Sequence, residues 1–180
     1  MSNVNVLVLV GSLRAASVNR QLAELAAEVA PAGVTLTPFD RLGELPFYNE
    51  DIDDESVAQV VKDLRAVAAD ADVALVVTPE YNGSIPGVLK NAIDSLSRPF
   101  GDSALKGKPT VVIGTALGQY GGVWAHDETR KSFGIAGPRV VESAALSIPA
   151  KSLDGRHPRE SADLIEKLRD VVGKLATEVR

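Results

Sequence analysis

Two apolar patterns take turns along this chain. The first is the short apolar run of strand length, seen at Val4–Val10 (VNVLVLV), Val73–Thr78 and Thr110–Thr115. Runs without a polar face predict strands buried on both sides. Gly33–Pro38 offers a shorter strand, and Val140–Ile148 contains a fifth. The second pattern has helical spacing. Leu22, Leu25, Ala26 and Val29 mark a helix for which Ser17 is a candidate N-cap. Val57, Val60, Val61, Leu64, Val67 and Ala68 mark a second, and Val88, Leu89, Ala92, Ile93 and Leu96 a third. Val123–Phe133 reads as a weaker helix, and Leu164, Leu168, Val171, Leu175 and Val179 form the apolar face of a C-terminal one.

Strand and helix thus alternate five times. That order predicts an α/β fold, a parallel sheet covered by helices on both faces with right-handed crossovers, which makes a three-layer sandwich. Five units fit the strand order 2-1-3-4-5, with a ligand at the carboxyl ends of the strands beside strand 1. All of residues 1–180 are expected to form one domain, because no repeat, low-complexity tract or linker divides the chain.

Composition narrows the chemistry. A net charge of -5 disfavours nucleic acid as a partner, since phosphate backbones select clustered Lys and Arg. No run approaches a membrane span in length. Val4–Val10 reads as a strand rather than the core of a signal peptide, having no basic residue before it. The expected place of action is cytoplasmic. Cysteine is absent, so disulfides, thiol nucleophiles and thiolate metal sites are excluded. His126 and His157 stand far apart without evident ligand partners, and both are read as ordinary residues, with no metal site expected. Redox chemistry in such a chain needs a bound cofactor to carry the electrons.

Three loops fall at predicted strand ends. After the first strand comes Gly11-Ser12-Leu13-Arg14-Ala15-Ala16-Ser17-Val18-Asn19. Its hydroxyl, amide and guanidinium donors precede the positive end of a helix, a combination suited to a terminal phosphate. It is neither a Walker loop nor a Gly-x-Gly-x-x-Gly fingerprint, so a mononucleotide suits it better than a dinucleotide. After the third strand, Thr78-Pro79-Glu80-Tyr81-Asn82-Gly83-Ser84-Ile85-Pro86-Gly87 is rigid enough to face a flat heterocycle, with Asn82 and Gly83 tolerant of left-handed backbone and Pro86 suited to a helix first turn. Ala116–Gly122, which includes Gly118 and Tyr120, supplies another wall.

Gly11-Ser12-x-Arg14-x-x-Ser17-x-Asn19 and the long stretch from Pro79-Glu80-Tyr81-Asn82-Gly83-Ser84 through Lys90-Asn91-Ala92-Ile93-Asp94 closely resemble the NADPH-dependent FMN reductases, a group of flavodoxin-like fold that includes quinone, chromate and azo-dye reductases. The resemblance implies FMN as bound cofactor and NADPH or NADH as electron donor. It implies a phosphate held by Ser12, Arg14, Ser17 and Asn19, and a flavin ring against Pro79, Glu80, Tyr81, Asn82 and Gly83, with Ser84 and Gly118 completing the site. It also implies a homodimer or a dimer of dimers. The third loop departs from the family pattern at Gln119-Tyr120.

The expected reaction is a ping-pong transfer from NAD(P)H to a quinone, flavin or other soluble acceptor, with backbone N–H groups of Tyr81–Ser84 supporting the reduced ring. A non-catalytic electron carrier of flavodoxin type is the alternative, and Glu50-Asp51-Ile52-Asp53-Asp54-Glu55 would be its acidic docking run. A receiver-like regulatory domain needs carboxylates at the end of strand 1, where Val10-Gly11-Ser12 has none.

Overall fold

In β1 (Val4–Val10) successive side chains take opposite sides: Val6, Val8 and Val10 join one apolar cluster, Leu7 and Leu9 another. The same division runs through β3 (Val73–Val77), where Val73, Leu75 and Val77 face one way and Ala74 and Val76 the other. The sheet therefore needs cover on both sides. In the computed structural model, which describes residues 3–179, α1 (Val18–Glu28) and α5 (Ala162–Thr177) cover the first face. The second face is covered by α2 (Gln59–Asp70) and α3 (Gly87–Leu96), with Phe133 of α4 (Val123–Ala136) closing the layer. Each fully buried Leu or Val contributes roughly 1.5–3 kcal/mol of transfer free energy.

The strands, with β2 (Val34–Pro38), β4 (Pro109–Ala116) and β5 (Arg139–Val140), run in the order β2-β1-β3-β4-β5, and every pairing is parallel. This is the expected flavodoxin-like order with one correction. The stretch Val140–Ile148 does not make a single strand. It makes two, β5 and β6 (Leu146–Pro149), which pair with the start and the end of β4. Pro109 lies opposite Arg139 whereas Ile113 lies opposite Leu146, so three extra residues are accommodated between them. They form part of a 3₁₀ turn, Glu142–Ala144, that drops Ala144 into the core.

Smaller differences have local causes. Ser17 takes the N-cap position of α1 but its side chain caps nothing there. Pro86 precedes α3 as N-cap instead of entering its first turn. Val179 lies beyond the end of α5, where its side chain is exposed. No helix among the described residues is long and apolar enough to cross a membrane.

Candidate functional site

The carboxyl ends of β1, β3 and β4 open onto a cavity of about 260 Å³. Ser12, Arg14, Ser17 and Asn19 line one side, Pro79, Glu80 and Tyr81 another, and Gly118 a third. The three loops singled out in the sequence therefore meet. Asn82, Gly83 and Ser84 lie farther along the β3 loop, outside this lining. Ala116 and Leu117, from the loop the sequence offers as another wall, line it too, as do Thr115 and Ala150, which escaped sequence reasoning. Thr115 was reachable in principle, since it follows from the rule that ligands sit beyond strand carboxyl ends. Ala150 has no such signal.

On the β1 side the side chains of Ser12, Arg14, Ser17 and Asn19 all carry donors. The first bond of α1 runs from Gln21 N–H to the Ser17 carbonyl, so the preceding N–H groups of the first turn have no intrahelical acceptor. No acidic residue occupies that turn. The hydroxyl oxygens of Ser12 and Ser17 belong to residues only 3% exposed, and the exposed Arg14 donates one long hydrogen bond among the described residues, to the Ala16 carbonyl at 3.4 Å. Such a set is chemically matched to a phosphate dianion and poorly matched to a cation or a neutral group. Asn19 differs from its neighbours. Its Nδ2 donates to the Thr115 carbonyl at 3.0 Å and its Oδ1 accepts from Thr115 N–H at 2.9 Å.

The β3 loop is a tight turn. Tyr81 N–H donates to the Ser84 carbonyl at 3.2 Å, and Ser84 N–H to that of Tyr81 at 3.1 Å. Asn82 and Gly83 between them take φ of 54° and 72°, the left-handed pair that a two-residue hairpin turn requires. The N–H groups of Tyr81 and Ser84 are thus committed inside the turn, which narrows the Tyr81–Ser84 backbone donors that the sequence offers to a ring. Only those of Asn82 and Gly83 are left by the turn itself. Two side chains bolt the loop to α4: the Glu80 carboxylate accepts from Ala125 N–H in its first turn, at 3.2 Å, and Ser84 Oγ donates to Glu128 at 2.6 Å. A carboxylate at that helix end is favoured by the exposed N–H groups. Across the loop, the exposed rings of Tyr120 and Trp124 pair at 6.1 Å with a 60° tilt, and Trp124 lies against Gly83.

Beneath this wall His126 is wholly buried. Its Nε2 lies 2.9 Å from the Thr78 carbonyl, which accepts only, so Nε2 carries the proton. Nδ1, 2.7 Å from Ser147 Oγ, then accepts from that hydroxyl when the ring is neutral. Burial pushes the imidazole below its ordinary value of 6.5, outweighing the help that the Thr78 carbonyl gives the charged form. The native ring resists a proton that the unfolded chain accepts, so stability is lost as pH falls through 6.5. The limiting slope is about 1.4 kcal/mol per pH unit. Thermal unfolding of wild type and His126→Gln should therefore show a stability gap that narrows from pH 7 to pH 5. A constant gap would mean that His126 does not titrate differently on folding.

A larger hollow, about 480 Å³, lies between the loop after β2, α2 and the segment after α3. Both of its arginines are already engaged. Arg65 holds both oxygens of Asp53 at 2.8 and 2.9 Å, and Arg98 donates to Tyr48 Oη at 2.8 Å. The Arg65 guanidinium keeps the Asp53 carboxyl below its ordinary 3.8. The strand-end cavity is smaller, but it combines unspent donors with convergent loops.

A doubly wound parallel sheet with a donor-lined crevice beside its first strand defines a mononucleotide-binding protein of the flavodoxin-like class. Residues 4–152 match the family model described as NADPH-dependent FMN reductase. A quinone reductase of Pseudomonas putida is 47% identical over 133 residues, covering 73% of this chain and 71% of that protein. A 2-hydroxy-1,4-benzoquinone reductase of a Burkholderia species is 45% identical over 127 residues, 71% of this chain and 68% of its own. Among solved structures, the flavoenzyme NAD(P)H:(acceptor) oxidoreductase FerB of Paracoccus denitrificans superposes with a TM-score of 0.82 at 31% identity, covering 96% of this chain and 97% of the other. The chain belongs to the NADPH-dependent FMN reductase family. It is accordingly a flavin-dependent oxidoreductase supplied by NAD(P)H.

Proposed function

We propose that this protein passes electrons from NAD(P)H to a quinone or another flat soluble acceptor, with donor and acceptor using one open face of FMN in turn. The observation that carries this reading is the all-donor cradle at Ser12, Arg14, Ser17 and the α1 N-terminus, set beside a crevice walled by Pro79–Tyr81 and Gly118. In this reading the cradle binds the phosphate, while Pro79, Glu80 and Tyr81 orient the ring system and exclude water from one side of it. FMN held there would supply the redox chemistry, hydride acceptance from NAD(P)H and electron donation to the acceptor. The N–H groups of Asn82 and Gly83 are the turn's remaining donors toward that ring. Gly83 and Ser84 otherwise support the wall, through Trp124 and Glu128.

The relatives named as quinone reductases support the choice of acceptor. An electron carrier would dock through the acidic run Glu50–Glu55, yet Asp53 is bound by Arg65 and Asp54 accepts from Ser56 N–H and Oγ. Self-association belongs to the same proposal, since Phe47, Phe100 and Ile135 are 88%, 83% and 72% exposed, apolar side chains that a second copy would cover. Dependence on NAD(P)H fits activity in the cytoplasm.

The test is steady-state kinetics with both substrates varied. Exchange at one face predicts parallel lines in double-reciprocal plots of NADPH against a benzoquinone. Intersecting lines would mean that both substrates are bound at once, and the shared-face reading would fall.

A further inference from the structure

Two parallel strands keep pairing until something takes their backbone groups away. On β3 and β4 the last ladder bond runs from Thr78 N–H to the Ile113 carbonyl at 3.0 Å, one step beyond the Val77–Ile113 pair. That bond sets Thr78 opposite Gly114. Parallel geometry would next send Thr115 N–H to the Thr78 carbonyl. Neither group goes there. Thr115 N–H is taken by Asn19 Oδ1 at 2.9 Å, and the Thr78 carbonyl by His126 Nε2 at 2.9 Å. The two side chains come from α1 and α4, on opposite faces of the sheet, and meet over Gly114. A Cβ there would overlap the Thr78 carbonyl oxygen and lie 2.7 Å from His126 Nε2 and 2.9 Å from Asn19 Oδ1.

We propose that Asn19 and His126 form a wedge that ends β3–β4 pairing at Thr78 and so holds open the crevice, a role that rests on the FMN reading given above. Both are positioning residues. Asn19 satisfies both backbone groups of Thr115, because an amide carries its acceptor and its donor on separate atoms, so that one side chain meets a carbonyl and an N–H at once. His126 takes the Thr78 carbonyl in place of Thr115 N–H, holding its oxygen over Gly114, and is itself braced from β6 by Ser147. Both are almost fully buried, at 4% and 0% exposure. The strands that carry Pro79–Tyr81 and Ala116–Gly118 are thereby spread at the point where those residues line the cavity. Asn19 thus serves the site as a strut for Thr115, with its amide committed before any phosphate arrives.

The test has two readouts. The first is the FMN dissociation constant of apoprotein, followed by flavin fluorescence, in wild type, His126→Leu and His126→Gln. Leucine cannot hold the Thr78 carbonyl and should weaken FMN by about tenfold or more. Glutamine keeps an N–H donor and should stay within about threefold of wild type. Equal affinity in all three overturns the wedge while leaving the FMN reading intact. The second readout needs no variant and no FMN. Through-hydrogen-bond NMR couplings of the wild-type apoprotein should link Thr115 N–H to the Asn19 side chain, and a coupling to the Thr78 carbonyl overturns the proposal even if His126→Leu fails to fold. A wild-type protein with the Asn19 coupling that takes up no FMN would instead overturn the functional reading, with the strands still parted as described.

Discussion

Gly114→Ala is expected to cost more than about 4 kcal/mol, at the far end of what single substitutions do. The methyl group has nowhere to go. Its position is occupied by the Thr78 backbone carbonyl, with His126 Nε2 and Asn19 Oδ1 close on either side. The carbonyl belongs to the backbone, and the two side chains are each hydrogen-bonded where they stand. Relief would require β3 and β4 to separate further, which breaks sheet pairing as well. For a chain of this size the expected fall in melting temperature is roughly 10–15 °C. Gly173→Ala is the matched control. That glycine lies within α5, and nothing stands within 4 Å of the place its methyl would take, so the same substitution should be neutral or gain up to about 1 kcal/mol. Differential scanning calorimetry of both variants checks the pair. A Gly114→Ala protein that melts like wild type would refute the packing described at the sheet's centre.

Arg14→Ala should leave the fold alone and strike binding. Arg14 is exposed and its side chain donates a single long hydrogen bond among the described residues, to the Ala16 carbonyl, so the stability change should stay within about 0.5 kcal/mol. Loss of a charge-assisted bond to a phosphate costs about 1.5–3 kcal/mol, roughly ten- to hundredfold in FMN affinity. Riboflavin, which has no phosphate, isolates the cause. Isothermal titration should show FMN affinity falling in the variant while riboflavin affinity stays unchanged. A parallel fall for both ligands would mean that Arg14 supports the ring site; no fall for either would place the phosphate elsewhere.

Most of the fold was legible because the strongest signals were long and local. VNVLVLV and VALVV are apolar on both faces, which only a doubly covered sheet accommodates. The loops were legible for a related reason: a strand-to-helix turn rich in donors advertises itself within a few residues. The sixth strand was not, since the sequence places one strand within Val140–Ile148, and only the register against β4 shows two. The wedge was invisible for a stronger reason. Asn19 and Thr115 are 96 residues apart, and His126 and Thr78 are 48 apart. Nothing local to His126 separates it from any polar residue on a helix. Its role exists only once α4 is laid across the ends of β3 and β6. Arg65 and Asp53 make the same point on the other side, where part of an apparently solvated acidic run proves to be an internal ion pair.

The most direct measurement is an anaerobic absorbance spectrum of FMN-reconstituted protein, taken before NADPH, after NADPH, and again after addition of a quinone. The account predicts that NADPH bleaches the oxidised flavin bands and that quinone restores them. Bound flavin whose oxidised bands persist after NADPH would contradict it.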